Sequence, residues 1–159
     1  MDVVIKRRFM RIIAIVLMSL SLVGCACLKK KEPAKLQVVN VLDRDLFDDC
    51  HIKGSVNVPF EQLESFAKGL DKDTPIVLYC SNYKCTASGL GARMLKDVAF
   101  KDVWAYEAGL AEWYQLGLPV NGPCKEAYLK MENKPIDSFD TSVKIISTDE
   151  LQKKMGLVR

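Results

Sequence analysis

Histidine is almost missing from this 159-residue chain, which has only His51. That excludes sites built on two histidines, including the helical pair of metalloproteases. Net charge is almost missing as well. Lys6, Arg7, Arg8 and Arg11 against Asp2 account for the formal +3, so the chain from Cys25 onward is neutral. A neutral body has no field for phosphate-driven binding of nucleic acid, and none is expected as a partner. No uncharged run reaches the roughly 20 residues that a membrane-spanning helix needs. Internal repeats are absent, and so is low-complexity sequence outside residues 25–35. With 49% hydrophobic residues, intrinsic disorder is excluded, and the length gives room for one core rather than two.

What is present begins with a leader. A basic cluster at residues 6–8 precedes an apolar run at residues 12–24, the pattern of a secretory signal. The run ends Leu22-Val23-Gly24-Cys25, which resembles the bacterial lipoprotein box. The resemblance implies cleavage after residue 24, lipidation of Cys25 and a lipid anchor in a bacterial membrane, facing the periplasm or exterior. More than one acyl chain gives stable anchoring. Ala26 is compatible with outer-membrane sorting. Residues 25–35, with Lys29, Lys30, Lys31, Glu32 and Pro33, read as a polar tether.

Beyond Cys25 stand Cys27, Cys50, Cys80, Cys85 and Cys124. An odd number in an oxidising compartment implies at least one free or reactive thiol, or an intermolecular pairing. Cys50 and Cys124 lack metal-ligand spacing and read as buried thiols or an adventitious bridge. No metal or other cofactor is expected.

From residue 36 strands and helices alternate, which predicts an α/β domain with a mostly parallel central sheet flanked by helices. Strands are expected at 37–42, 55–58, 75–79 and 102–106. Helices are expected at 60–68, at 87–98 with Leu90, Met94 and Leu95 on its inner face, and at 110–116. Residues 43–49 read as a polar turn. The run Pro75-Ile76-Val77-Leu78-Tyr79 is apolar throughout, as suits a strand buried on both faces. After residue 122 the pattern predicts a helix over 123–132, a loop over 134–142, a strand at 143–147 and a helix at 148–155. That C-terminal extension, 123–159, is expected to pack on the domain.

Parallel α/β sheets place ligands where strands end and helices begin. Cys80 stands at that junction, followed by Ser81, Asn82, Tyr83, Lys84, Cys85 and Thr86 before the helix. Amides of a helix N-terminus and of an inward-turned loop favour an anion and lower a thiol pKa. Cys80 is therefore the candidate nucleophile and Ser81–Thr86 the candidate substrate-binding loop, with Ser81, Asn82 and Tyr83 contributing mainly backbone amides. Lys84 reads equally as a solvated charge or as a steering cation. Cys85 reads as a resolving thiol for Cys80 or as a packing residue. Trp104, Tyr106 and Trp113 read as core.

These motifs resemble a rhodanese-like domain over residues 36–122. The family pattern Asp-Val-Arg, an aromatic, then Gly-His-Ile-Pro-Gly-Ala is matched by Asn40-Val41-Leu42, Phe47 and Cys50-His51-Ile52-Lys53-Gly54-Ser55. Val56-Asn57-Val58-Pro59 fits the next strand, and Pro75 through Cys80 fits the strand bearing the active cysteine. Val103 through Leu110, Trp113 and Gly117-Leu118-Pro119-Val120 fit the close of the domain. The resemblance implies that Cys80 accepts sulfane sulfur from a small donor and passes it to a thiol acceptor. It also places His51 in a structural hydrogen bond rather than in acid–base chemistry. Asn40 and Leu42 stand where the family has an acidic and a basic residue. Cys85 stands where it often has an arginine, which disfavours thiosulfate, a dianion best held by a bidentate guanidinium. Thr86 stands where related phosphatases need an arginine, so phosphatase chemistry is excluded. Two other readings remain open: thiol–disulfide or redox chemistry on Cys80 and Cys85, and a silent binding module.

The segment Ile145-Ile146-Ser147-Thr148-Asp149-Glu150-Leu151 resembles the strand and helix that open rhodanese-like domains, an opening not found ahead of Gln37. The tail is therefore expected to fold back and fill the vacant sheet edge, as in a circular permutation. A swapped dimer and a vestigial second domain are the alternatives, and oligomeric state is not legible.

Overall fold

The computed structural model describes residues 34–136 and 142–158. The leader, Cys25, Cys27 and most of the tether lie outside the described residues. Among the described residues no helix is long and apolar enough to cross a membrane.

The central strand is the apolar run. β4 (Ile76–Tyr79) is buried at every position and lies between β1 (Gln37–Asn40) and β5 (Val103–Tyr106). The five-stranded sheet is completed by β3 (Val56–Asn57) beside β1 and by β7 (Lys144–Ile145) beside β5, all pairs parallel. A separate antiparallel pair joins β2 (His51–Ile52) to β6 (Val120–Asn121).

Alternation along the strands divides the core between two faces. Val39, Ile76 and Leu78 pack with Leu63, Ala92, Leu95 and Phe100, beneath α2 (Leu63–Lys68) and α3 (Ala87–Asp97). Val38, Val77 and Tyr79 pack on the opposite face with Leu110, Trp113, Leu129 and Leu151. That face carries α4 (Gly109–Gln115), a 3-10 turn at Ala127–Lys130, and α5 (Thr148–Lys154). Fully burying one such aliphatic or aromatic side chain contributes about 1.5–3 kcal/mol.

The C-terminal segment does close the sheet within its own chain. Trp104 lies opposite Lys144 and Ala105 opposite Ile145, and Ile146 N–H donates to Ala105 O at 3.0 Å. α5 starts with a complete capping box. Glu150 N–H donates to Ser147 Oγ at 3.3 Å, and Ser147 N–H donates to Glu150 Oε2 at 3.0 Å, satisfying two otherwise orphaned donors.

Four expectations are corrected. Residues expected as a turn form α1 (Arg44–Asp49), where Arg44 Nε reaches both Asp48 carboxylate oxygens at 2.9 Å and Phe47 is buried. The helix expected over 123–132 is reduced to the 3-10 turn. Its opening cannot start a helix, because Cys124, bonded to Cys50, has φ +51° and its N–H donates to Asp49 O at 2.8 Å, while the Asp49 carboxylate accepts from Lys125 and Glu126 N–H. A left-handed residue does not fit a right-handed helix. In α3 the inner face is Ser88, Gly91, Ala92 and Leu95, while Leu90 is exposed. Finally, residues 60–68 divide into a 3-10 turn (Phe60–Gln62) and α2.

The Cys50–Cys124 bridge (S–S 2.14 Å) spans 74 residues. Beside it Gly122 has φ +103°, and a Cβ there would lie 2.2 Å from Asp49 O. Only glycine lets the strands approach so closely. The bridge therefore fastens the start of the C-terminal extension to the end of α1.

Candidate functional site

Cys80 follows directly after β4 and is fully buried. The loop from Ser81 to Thr86 then crosses the sheet end and enters α3. Its first residues are held from the other side by the start of α4. Leu110 N–H donates to Cys80 O at 3.0 Å and Ala111 N–H to Ser81 O at 2.9 Å. Gly109 makes this contact possible: its φ is +64°, and a Cβ there would lie 2.7 Å from Asn82 N.

The loop does not present the expected ring of amides to Cys80. Tyr83 N–H donates to Asn133 Oδ1 at 3.1 Å, Lys84 N–H to Asn82 Oδ1 at 3.1 Å, and Cys85 N–H to Asn82 O at 3.0 Å. The Cys80 sulfur instead meets two carbonyls, Cys85 O at 3.2 Å and Asn82 O at 3.9 Å, and only Ser88, through its hydroxyl at 3.5 Å and its backbone amide, favours the thiolate. Three of the six loop amides are thus spent on the loop's own turns and on a residue of the C-terminal extension.

Ionisation follows from this arrangement. The two free thiols among the described residues, Cys80 and Cys85, are hydrogen-bonded to each other, with Cys80 the donor. That bond and burial push the Cys80 thiol well above its ordinary range. The same bond, followed by backbone amides of Ala87 and Ser81, lowers Cys85 to about 6. The negative sulfur of the resting site is therefore Cys85, which is half-buried, while Cys80 holds the proton. A thiolate is the reactive form of cysteine, so reactivity at Cys80 requires passing this proton to Cys85.

The remaining loop side chains have separate tasks. Lys84 is exposed and makes no ion pair among the described residues. Thr86 is exposed, and its carbonyl accepts from Leu90 N–H at 3.0 Å. The Tyr83 hydroxyl donates to Glu112 Oε2 at 3.2 Å. Burial and the Glu112 charge raise Tyr83 to about 12, so it stays a donor. Glu112 also accepts from Thr148 Oγ1, which pairs with the Tyr106 hydroxyl at 2.9 Å. One carboxylate therefore links the loop to α5.

His51 serves structure, as expected: its Nδ1 pairs with Phe47 O at 2.8 Å, and its ring stacks on Phe47 at 3.9 Å. Asn40 is buried, and its Oδ1 accepts from Leu42 N–H at 2.9 Å. Trp113 and Tyr106 are core, whereas Trp104 is half-buried beneath Lys144 and Lys154, whose Nζ atoms lie 5.5 and 3.8 Å from its ring. Among the described residues no cluster of three or more His, Cys, Asp or Glu could hold a metal ion. Sequence reasoning missed Ser88, Glu112, Asn133 and Thr148. Ser88 had a signal, as a polar residue one turn inside an apolar helix face; Asn133 had none.

The model of the rhodanese-like domain matches residues 26–116, more than half of the chain. Thiosulfate sulfurtransferase GlpE of Shewanella oneidensis is 31% identical over 84 residues, 53% of this chain and 81% of that protein. HTH-type transcriptional regulator Rv0324 of Mycobacterium tuberculosis is 30% identical over 94 residues, 59% of this chain. That match spans only 41% of the regulator. Among solved structures, the Alr3790 protein from Anabaena is 30% identical with a TM-score of 0.51, covering 57% of this chain and 70% of that one. The BH2092 protein from Bacillus halodurans, at 22% identity and a TM-score of 0.52, covers 75% of this chain and 85% of that one, and shares the fold. The chain belongs to the rhodanese-like domain family.

Proposed function

We propose that the protein is a sulfurtransferase in which Cys80 takes up sulfane sulfur from a small donor and gives it to a thiol acceptor. The observation that carries this reading is the place of Cys80 at the end of the central strand, in hydrogen-bonding contact with a thiolate able to take its proton. Cys85 accepts the Cys80 proton as the Cys80 sulfur attacks the donor's outer sulfur. The donor's S–S bond breaks, its remaining part leaves with the electron pair, and Cys80 carries a persulfide. An acceptor thiolate then attacks the outer sulfur, Cys80 leaves as a thiolate, and the proton returns from Cys85. Two relatives named thiosulfate sulfurtransferase support the reaction class. The exposed Lys84 as the loop's one cation favours a donor less charged than thiosulfate, such as a singly charged organic persulfide.

The leader residues support a setting at the cell envelope, with lipidated Cys25 as the membrane partner and no nucleic acid involved. A second reading is favoured by the hydrogen bond between the two thiols: a dithiol that cycles through a Cys80–Cys85 disulfide.

Incubation with thiosulfate or polysulfide, followed by intact mass with and without cyanide, tests both. A cyanide-labile sulfur on the wild type and none on Cys80→Ser, a loss of at least about a thousandfold, is the expected result. An internal disulfide lost equally in Cys80→Ser and Cys85→Ser would replace transfer by the dithiol reading. No modification of either kind would remove both.

A further inference from the structure

The peptide between Asn82 and Tyr83 has its direction fixed by a residue far outside the loop. Tyr83 N–H donates to Asn133 Oδ1 at 3.1 Å. The peptide is trans, so its carbonyl points the other way. Asn82 O accordingly accepts from Cys85 N–H at 3.0 Å and lies 3.9 Å from the Cys80 sulfur. Asn133 Nδ2 meanwhile donates to Ala108 O at 2.8 Å, next to the glycine that packs on the Ser81–Asn82 backbone. A primary amide offers one acceptor and one donor at this separation, and here each is used. Asn133 is itself held in place. Gln115 Nε2 donates to Leu129 O at 3.0 Å and to Met131 O at 2.8 Å, and Leu129 is fully buried.

The geometry points to Asn133 as a positioning residue that sets the direction of the 82–83 peptide and hence the electrostatic sign facing Cys80. While the contact holds, a carbonyl oxygen faces the sulfur and the thiol form is favoured. With the contact broken, Tyr83 N–H needs another acceptor, and the sulfur pair enclosed by the loop offers one. The peptide then turns, an amide replaces a carbonyl, and the thiolate of Cys80 becomes easier to form. The inference rests on Cys80 being the reacting sulfur, but not on which sulfur chemistry follows.

The test is the rate of Cys80 alkylation by iodoacetamide in the full chain at neutral pH, read beside that of Cys85. Trypsin separates the two thiols into peptides 73–84 and 85–93, because Lys72, Lys84 and Arg93 bound them. Asn133→Ala should speed Cys80 alkylation about tenfold, the effect of about one pKa unit, and leave the Cys85 rate close to wild type. Asn133→Asp keeps the acceptor for Tyr83 N–H but loses the donor to Ala108 O and adds a negative charge, so its Cys80 rate should stay at or below wild type. Asn133→Ser, too short to reach Tyr83, replaces Asn133→Ala if that variant does not fold. Equal acceleration of Cys80 and Cys85 would show mere loosening and overturn the inference, as would Asp and Ala variants accelerated equally. Sulfur uptake measured alongside separates the two claims. A raised Cys80 rate without uptake removes the sulfurtransferase reading alone, and uptake with an unchanged Cys80 rate removes this inference alone.

Discussion

The molecule holds two cysteine pairs that have opposite uses. Cys50 and Cys124 are joined across 74 residues, with their Cα atoms 4.6 Å apart. Cys80 and Cys85, five residues apart, stay as thiols and share a hydrogen bond. The first pair is fixed by partners that do not titrate with it: the Asp49 carboxylate on Lys125 and Glu126 N–H, and Gly122 pressed against Asp49 O. The second pair has only its own proton and a few loop dipoles to decide its state. Separation in sequence governs the difference. A bridge across a long loop removes much unfolded-chain entropy, whereas one within a short loop removes little and leaves the sulfurs available for chemistry.

Breaking the second pair should give the larger effect. Cys85→Ser removes the group that accepts the Cys80 proton, and sulfur uptake should fall by about a hundredfold or more. Its pH dependence sharpens the point. Cys85 is lowered to about 6, so in the wild type it is protonated below that pH and cannot act as base. Uptake should therefore rise with pH through about 6, and Cys85→Ser should lose that limb; a stopped-flow pH series reads both.

Breaking the first pair should affect stability instead. The double variant Cys50→Ser, Cys124→Ser should unfold about 2–4 kcal/mol more easily in denaturant, while uptake per folded molecule stays close to wild type. A large fall in uptake would show that the two pairs are coupled. The smallest effect belongs to a position remote from both. Ser147→Ala removes the side-chain half of the α5 cap and should cost about 1 kcal/mol in the same denaturant titration, with no change at the sulfurs.

Much of this fold was legible because its signals are local. Pro75 through Tyr79 announces a strand covered on both faces, and Thr148-Asp149-Glu150-Leu151 announces a helix start, as the structure bears out. The return of residues 144–145 to the sheet edge was legible from a family likeness rather than from periodicity. The failures are long-range. Residues 123–132 read as a helix until Cys124, bridged to a distant cysteine, takes a left-handed conformation. Arg44–Asp49 carries too few apolar residues for a helical period to appear. At the site the same division holds. The position of Cys80 followed from the strand–loop–helix pattern, but the direction of the peptides around it did not. Asn133, 50 residues from Tyr83, fixes one of them, and no local pattern encodes such a partner.

The placement of β7 and α5 bears on how the molecule is made. Synthesis runs from the N-terminal end, so a nascent chain acquires Cys80 and its loop long before Thr148 emerges to complete the link through Glu112 to Tyr83. Until then one flank of β5 has no neighbour, and the nascent chain carries Cys80 on an unfinished scaffold. Closure of the sheet around the thiol pair therefore waits for elements synthesised well after the pair itself.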